Sequence, residues 1–429
     1  MIAELQSLPG RICRLAASRL VQNVGALALV QAVGYFIPLL TLPYLTRVLG
    51  PEEWGRVVWM QVILSYFNIL TDWGLSWSGT RKIATLRNDR TALSETFFAG
   101  WAVQWGLCAV ALSILLGLAA FAPFFATFRP YALYGTGVII AGVLFPVWLL
   151  SGLERMREVA IVQLMIRGGA VPLIFLLVRA PGDGAFAIAA SALTGLIAGV
   201  AVLFWMWKNL HLDWHWPRWP HMRVEFLESG AIFFSRVWIV LYTSLVPTIL
   251  GVIAGVSAVG HYVLADKIRG SVQSLLAPVS QALFPRMSYL FAHDRPAALR
   301  LLWNSGLLIV SISFATSLTL FLLAKPIILL VAGHAFLDAA AVLRWLSPLP
   351  LVIALSNIFG VQVMLPNKMT RAFNRILASA GALSLAVVVP WVLWRGAEGA
   401  AINTLLIECF VTGTMAIYLY HNRRTFHAN

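Results

Sequence analysis

Residues 185–207 read AFAIAASALTGLIAGVAVLFWMW and carry no charged side chain. A membrane-crossing helix needs about 20 predominantly apolar residues, and this stretch supplies them without interruption. Comparable stretches recur at about 22–46, 55–78, 96–121, 131–153, 159–178, 229–254, 259–283, 300–323, 337–363, 373–394 and 397–420. The 429-residue chain is 60% hydrophobic and 11% charged, with a mean hydropathy of +0.83, where an ordinary soluble domain is about a quarter charged. These values exclude a soluble globular protein. Twelve crossings leave only short connections and no room for a soluble catalytic domain. The expected fold class is an all-α polytopic membrane protein of about twelve transmembrane helices.

A net charge of +14 would suit a nucleic-acid binder, but the basic residues are dispersed between apolar segments rather than gathered in one stripe. Membrane topology accounts for them instead, and no nucleic-acid partner is expected. Counted on alternate sides of the twelve spans, Lys and Arg number 20 against 6, and five more fall inside spans. Cytoplasmic loops carry the excess of positive charge, so both termini are expected in the cytoplasm. The N-terminus is basic (Arg11, Arg14, Arg19), and its first apolar stretch is longer than the core of a removable signal peptide. It reads as a retained first helix. Tryptophans concentrate at Trp205, Trp207, Trp214, Trp216 and Trp219, as interfacial anchors do. His211 and His215 stand one turn apart nearby, but Pro217 and Pro220 break any continuing helix, and a metal site is not expected. Cys13, Cys108 and Cys409 have neither metal-like spacing nor a disulfide pattern.

The chain carries the mark of an internal duplication. PYLTRVLGPEEWG at residues 43–55 and PTILGVIAGVSAVG at 247–260 align Pro43, Gly50 and Gly55 with Pro247, Gly255 and Gly260, at an offset of 204 to 205 residues. Each segment ends an odd-numbered span and enters the next through a short outer turn. An offset of six helices preserves orientation, so the halves are expected to be parallel repeats related by an axis along the membrane normal. This divides the chain into a six-helix bundle at 1–207, a cytoplasmic linker at 208–228 and a second six-helix bundle at 229–429, with a cavity between the bundles. Gly195 with Gly199 and Gly251 with Gly255 have the small-residue spacing that permits close helix contacts.

Ionisable residues deep in a bilayer cost several kcal/mol and normally face a cavity or a partner. Lys267 and Arg269 lie about 12 to 15 Å into the eighth span at 1.5 Å per residue. Arg236, Arg167 and Arg344 reach similar depth in the seventh, fifth and tenth. Against these five cations stand three buried acids, Asp72, Asp266 and Glu408, so the surplus is positive. Asp266, Arg269 and Gln273 share one helix face, which allows an Asp266–Arg269 pair. One reading has such pairs merely joining helices. The other has Arg236, Lys267 and Arg269, with Arg344, lining a hydrated cavity that holds an anionic group such as a phosphate, which arginine recognises bidentately. Asp72 can pair with Arg81 one or two turns onward, as a structural or gating ion pair or as a substrate contact. Asp72, Arg81, Asp266 and Glu408 are the candidates for gating or coupling.

No G-x-x-x-x-G-K-[ST] string occurs, so the chain carries no P-loop of its own. Glu52 and Glu53 suggest the acidic pair of a sugar transferase, but their turn is too short to hold an acceptor; they read as solvated residues beside Arg56. No nucleophile and base arrangement stands out, and neither enzyme activity nor a cofactor is expected.

Three strings together resemble the polysaccharide transporter family, the O-antigen flippases of Wzx type within the multidrug/oligosaccharidyl-lipid/polysaccharide exporter superfamily. They are Asn23 with PLLTLPYLTRVLGPEEWG (38–55), DWGLSWSGTRKIA (72–84) with RNDRTALS (87–94), and VGHYVLADKIRGSVQSLLAPVSQALFPRMS (259–288). The resemblance implies a multi-pass protein of the bacterial inner membrane that moves an undecaprenyl diphosphate-linked oligosaccharide repeat unit between leaflets by alternating access. It implies H+ or Na+ as candidate coupling ions, and the lipid-linked oligosaccharide, the bilayer and polysaccharide polymerase and ligase proteins as partners. Asp72, Arg81, Asp266 and Lys267 stand within the matching strings; Arg236, Arg269, Arg344 and Glu408 are inferred from depth and sign alone. The alternative within the same superfamily is an ion-coupled multidrug or small-molecule antiporter, for which an acidic cavity is expected rather than a basic one.

Overall fold

The computed structural model describes residues 8–210, 212–274 and 277–422, with side chains described from residue 40 onward except 234–244, 277–279, 281 and 282. All regular structure among the described residues is helical. Helix α1 (Leu8–Asp72) is broken at Gly50, whose φ of +73° favours glycine, and Pro51 restarts it with a pre-set φ. After Trp73 and Gly74 (φ +83°) comes α2 (Leu75–Thr85). Asp89 caps α3 (Arg90–Phe121) by accepting from the Ala92 N–H at 3.0 Å. A 3-10 turn leads to α4 (Arg129–Leu144), which stops before Pro146; α5 (Val147–Gly152) and α6 (Met156–Leu177) follow. Next come α7 (Gly184–Leu210), α8 (Trp219–Ala254) and α9 (Val256–Ser274), the last two separated by Gly255 at φ +83°. The chain continues through α10 (Ala277–His293), α11 (Arg295–Leu322), α12 (Ala324–Ala332), α13 (Ala339–Leu346) and α14 (Leu349–Asn357). A π turn over Ile358–Met364 precedes α15 (Thr370–His421), which breaks at Arg395 and Gly396.

Among the described residues, seven helical stretches are long and apolar enough to cross a membrane. Their surfaces are apolar outward: Phe121 is 88% exposed and Leu393 70%. Contiguous exposure of this kind is costly in water and is what hydrocarbon accepts. The chain is a multi-pass membrane protein. The expected span at 337–363 is not one regular helix but α13, α14 and the π turn, because Pro348 and Pro350 remove N–H donors and start a new helix at their own positions.

The chain divides into two compact units, residues 1–41, 64–178 and 185–234 in one, and 42–63, 179–184 and 235–429 in the other. The first unit is organised around Trp148, buried with Leu75, Ile83, Phe97 and Leu149. Its indole N–H donates to the buried Gln104 Oε1 at 3.0 Å, so the ring's polar atom is satisfied where no water reaches. Gly195 and Gly199 of α7 lie against Ala141 and Leu144, where added Cβ atoms would meet side chains at 2.9 and 2.6 Å. This is the close helix contact that their spacing predicts.

In the second unit the two duplicated turns pack against each other. A Cβ on Gly55 would overlap the Val256 carbonyl, and one on Gly260 would overlap the Pro51 carbonyl; each would also come within 3.3 Å of the other glycine's backbone nitrogen. The pattern is reciprocal at the offset of 205, and Gly50 and Gly255 share a positive φ at equivalent positions. Gly255 has open space around its missing side chain and serves the turn. The expectation that it forms a helix-contact pair with Gly251 is therefore corrected: only Gly251 packs closely, under the Trp59 indole. Substituting Ala at Gly260 is expected to lower unfolding stability by about 1–3 kcal/mol through overpacking. Gly117→Ala in α3, where nothing lies within 4 Å, is expected to be neutral or stabilising. Thermal unfolding of the detergent-purified proteins measures both.

Candidate functional site

Helix α9 presents Tyr262, Asp266, Arg269 and Gln273 on one face, since their spacings of four, three and four follow the helical period. The Asp266 Oδ1 accepts from Arg269 Nε at 2.9 Å and from Nη2 at 2.7 Å, and Arg269 Nη1 donates to the Gln273 side-chain oxygen. Arg269 is thus held flat along its helix, its side chain 13% exposed and that of Asp266 40%. It lines two cavities at once, of about 360 and 190 Å³, which also share Ile353.

The larger cavity is walled by Gln273, Ser280, Asn357 and Gln362 among apolar residues. Gln362 sits on the π turn, an irregularity often found at functional sites. Its Nε2 donates to the Ser280 carbonyl and hydroxyl at 3.0 and 3.1 Å, while its Oε1 is buried without a partner among the described residues. The smaller cavity is lined by Tyr262, Asp266, Ser384, Asn403, Thr404 and Glu408. The Tyr262 hydroxyl meets Thr404 Oγ1 at 3.0 Å, and Asn403 Nδ2 donates to Ser384 Oγ at 3.2 Å. The Asn403 Oδ1 is likewise buried and unsatisfied among the described residues.

The structure therefore brings together Asp266, Arg269 and Glu408 of the residues singled out in the sequence. The Lys267 side chain, half-buried and two residues from Arg269 on a different side of α9, makes no hydrogen bond or ion pair among the described residues and lines neither cavity. The side chain of Arg236 lies outside the described residues. Arg344 is exposed on α13 and lines neither cavity, and Arg167 is exposed on α6 of the first unit. No bond joins Asp72 to Arg81 among the described residues. Asp72 accepts from the Ser76 hydroxyl and, at 3.3 Å, its backbone N–H, while Arg81 is exposed and unpaired among the described residues. Asp72 ends α1 where Trp73 and Gly74 turn the chain, so the serine one turn on lies nearer than Arg81. Gln362, Ser384 and Asn403 escaped the sequence reading. Their only signal is a polar side chain standing alone in an apolar run.

A second polar cluster, in the first unit, also went unread. In the sequence Lys82 is one basic loop residue among many, yet its Nζ lies 2.7 Å from Glu225 and 2.8 Å from Glu228 of α8. Ser78 and Ser229, both buried, meet at 2.7 Å beside it. Burial works against the Lys82 ammonium, but hydrogen bonds and charge from the two glutamates outweigh it and hold its pKa above the ordinary value. Burial pushes the Glu225 carboxyl up, against the opposing pull of Lys82. Among the described residues no group of three or more His, Cys, Asp and Glu side chains is placed to hold a metal ion.

Comparison with known proteins places this architecture. In fold the chain is similar to an inward-facing multidrug resistance MATE family transporter of the MOP superfamily, with a TM-score of 0.70 at 13% identity over 94% of this chain and 98% of that one. It is similar also to the lipid II flippase MurJ in an inward closed conformation, with a TM-score of 0.63 at 11% identity over 93% and 87%. The fold is thus that of these membrane transporters. The polysaccharide biosynthesis protein family matches residues 20–291. A protein of Escherichia coli (strain K12) named "Putative O-antigen transporter" is 31% identical over 408 residues, 94% of this chain and 97% of that one. One of the same name from Shigella dysenteriae is 25% identical over 395 residues, 91% and 97% of the two chains. The chain belongs to the polysaccharide biosynthesis protein family.

Removing Lys82 leaves the buried Glu225 without its cation. Lys82→Ala is expected to cost about 3 kcal/mol at pH 7. The sign of the pH dependence follows from Glu225: its raised folded-state pKa means that the folded protein binds the extra proton, so acid relieves the uncompensated charge. The deficit of Lys82→Ala is expected to shrink at pH 5, and Glu225→Gln in the same background to recover much of it at pH 7. Unfolding midpoints at the two pH values measure this.

Proposed function

We propose that this protein is a flippase of the bacterial inner membrane that moves an undecaprenyl diphosphate-linked oligosaccharide between leaflets by alternating access. The carrying observation is Arg269, a buried cation that lines two cavities at once. The larger cavity has Arg269 and no acid among its lining residues, a sign that suits a diphosphate and disfavours a cationic drug. The guanidinium places Nε and one Nη2 hydrogen on Asp266 and one Nη1 hydrogen on Gln273, which leaves donors for an incoming phosphate oxygen. The diphosphate would sit on Arg269 and Lys267, with Arg236 as a third donor, while the sugar enters the larger cavity and the polyprenyl tail remains in lipid.

Twelve spans in two parallel repeats, with both termini in the cytoplasm, accord with the charge asymmetry of the loops and with the reciprocal packing of Gly55 and Gly260. In alternating access this glycine contact is the outer closure that separates. Asp266 and Glu408 share the smaller cavity, where the unsatisfied Asn403 oxygen adds an acceptor; this is the candidate coupling site for H+ or Na+. Asp72 and Arg81 would act in gating through separate contacts. A polysaccharide polymerase and ligase would act downstream on the translocated unit.

Arg269→Ala and Lys267→Ala are each expected to lower export of surface polysaccharide by about tenfold or more, the loss of a charge-assisted bond to phosphate, with membrane insertion and protein level unchanged. Arg269→Lys retains charge without the planar fork and is expected to fall between. Wild-type export in both alanine variants overturns the site assignment.

A further inference from the structure

Apart from the polar cavities, the first unit has an apolar groove of about 480 Å³ between α3 and the opening turns of α8. Ala102, Gly106 and Leu107 form one wall, and Trp219, Leu227 and Arg223 the other. We infer that this groove binds an anionic phospholipid of the bilayer, an acyl chain lying along α3 over Gly106 and the phosphate at Arg223.

Charge carries the choice of occupant. Arg218 and Arg223 are exposed, and neither has an ion-pair partner among the described residues. The acids of the same helix segment, Glu225 and Glu228, are both turned to Lys82, so nothing on α8 neutralises the mouth of the groove. Trp214, Trp216 and Trp219 are 65%, 81% and 73% exposed, amphipathic rings of the kind that settle at the headgroup level. The groove is therefore apolar along its floor, positive at its mouth and flanked by interfacial side chains, which matches a lipid with a net negative headgroup. A zwitterionic lipid offers the same chain but no net charge to Arg223. Gly106 has no heavy atom within 4 Å of where its Cβ would stand; the open side of the helix is space that an acyl chain can fill.

The test is native mass spectrometry of the full-length protein in detergent with phosphatidylglycerol and phosphatidylethanolamine of identical acyl chains. The wild type is expected to retain phosphatidylglycerol in preference. Arg223→Gln is expected to reduce that preference about fivefold, the worth of one basic side chain at an anionic membrane surface. Gly106→Leu, which fills the floor from open space, is expected to lower retention of both lipids, and Arg300→Gln, outside the groove, to change neither. Equal retention of the two lipids by the wild type overturns the proposal, as does an unchanged preference in Arg223→Gln. Displacement of phosphatidylglycerol by a polyprenyl phosphate but not by excess phosphatidylglycerol of other chain lengths also overturns it, and assigns the groove to a prenyl lipid.

Discussion

Hydrocarbon offers no hydrogen bond, and almost every feature of this protein follows from that. Backbone polar groups must be satisfied within helices, and several of the points where the chain leaves helical geometry are glycines and prolines. Gly50, Gly255 and Gly396 take positive φ at turns that a side chain would resist, and Pro51 or Pro146 marks the residue at which a helix restarts or stops. Large apolar side chains turn outward as well as inward: Phe121, Phe204 and Leu393 are exposed while Trp148, Phe336 and Leu75 are buried, a distribution that water alone would not favour.

The same constraint governs charge. Two deep or buried cations have a specific arrangement around them: Arg269 bonds Asp266 and Gln273 along one helix face, and Lys82 holds two glutamates of α8. The two clusters differ in what they leave over. Lys82 is outnumbered by acids, its role being to fasten α8 to α2. On α9 the cations outnumber the acid, and the arginine faces cavities instead of a sealed contact.

Close backbone approach is the third consequence. The pair Gly55 and Gly260 packs without side chains, each glycine seated against the carbonyl that follows the other turn's positive-φ residue. A seat of this kind has no interlocking side chains, so backbone meets backbone directly. Gly195 and Gly199 use the same absence of a Cβ differently, to hold α7 permanently against α4.

Composition and hydropathy were enough to name the solvent, because an apolar run like 185–207 has no stable alternative in water. The duplicated Pro and Gly positions were legible too, since only glycine tolerates those turns and that packing. Asp266, Arg269 and Gln273 were readable as one face from helical periodicity alone. What the sequence could not determine is which polar residues distant along the chain converge. Asn403, Ser384 and Gln362 reach the α9 cavities only through the packing of α14, the π turn and α15, while Arg344, exposed on α13, lines neither. Periodicity reports the face of one helix; which faces meet is decided by how helices pack, and that is a property of the folded chain.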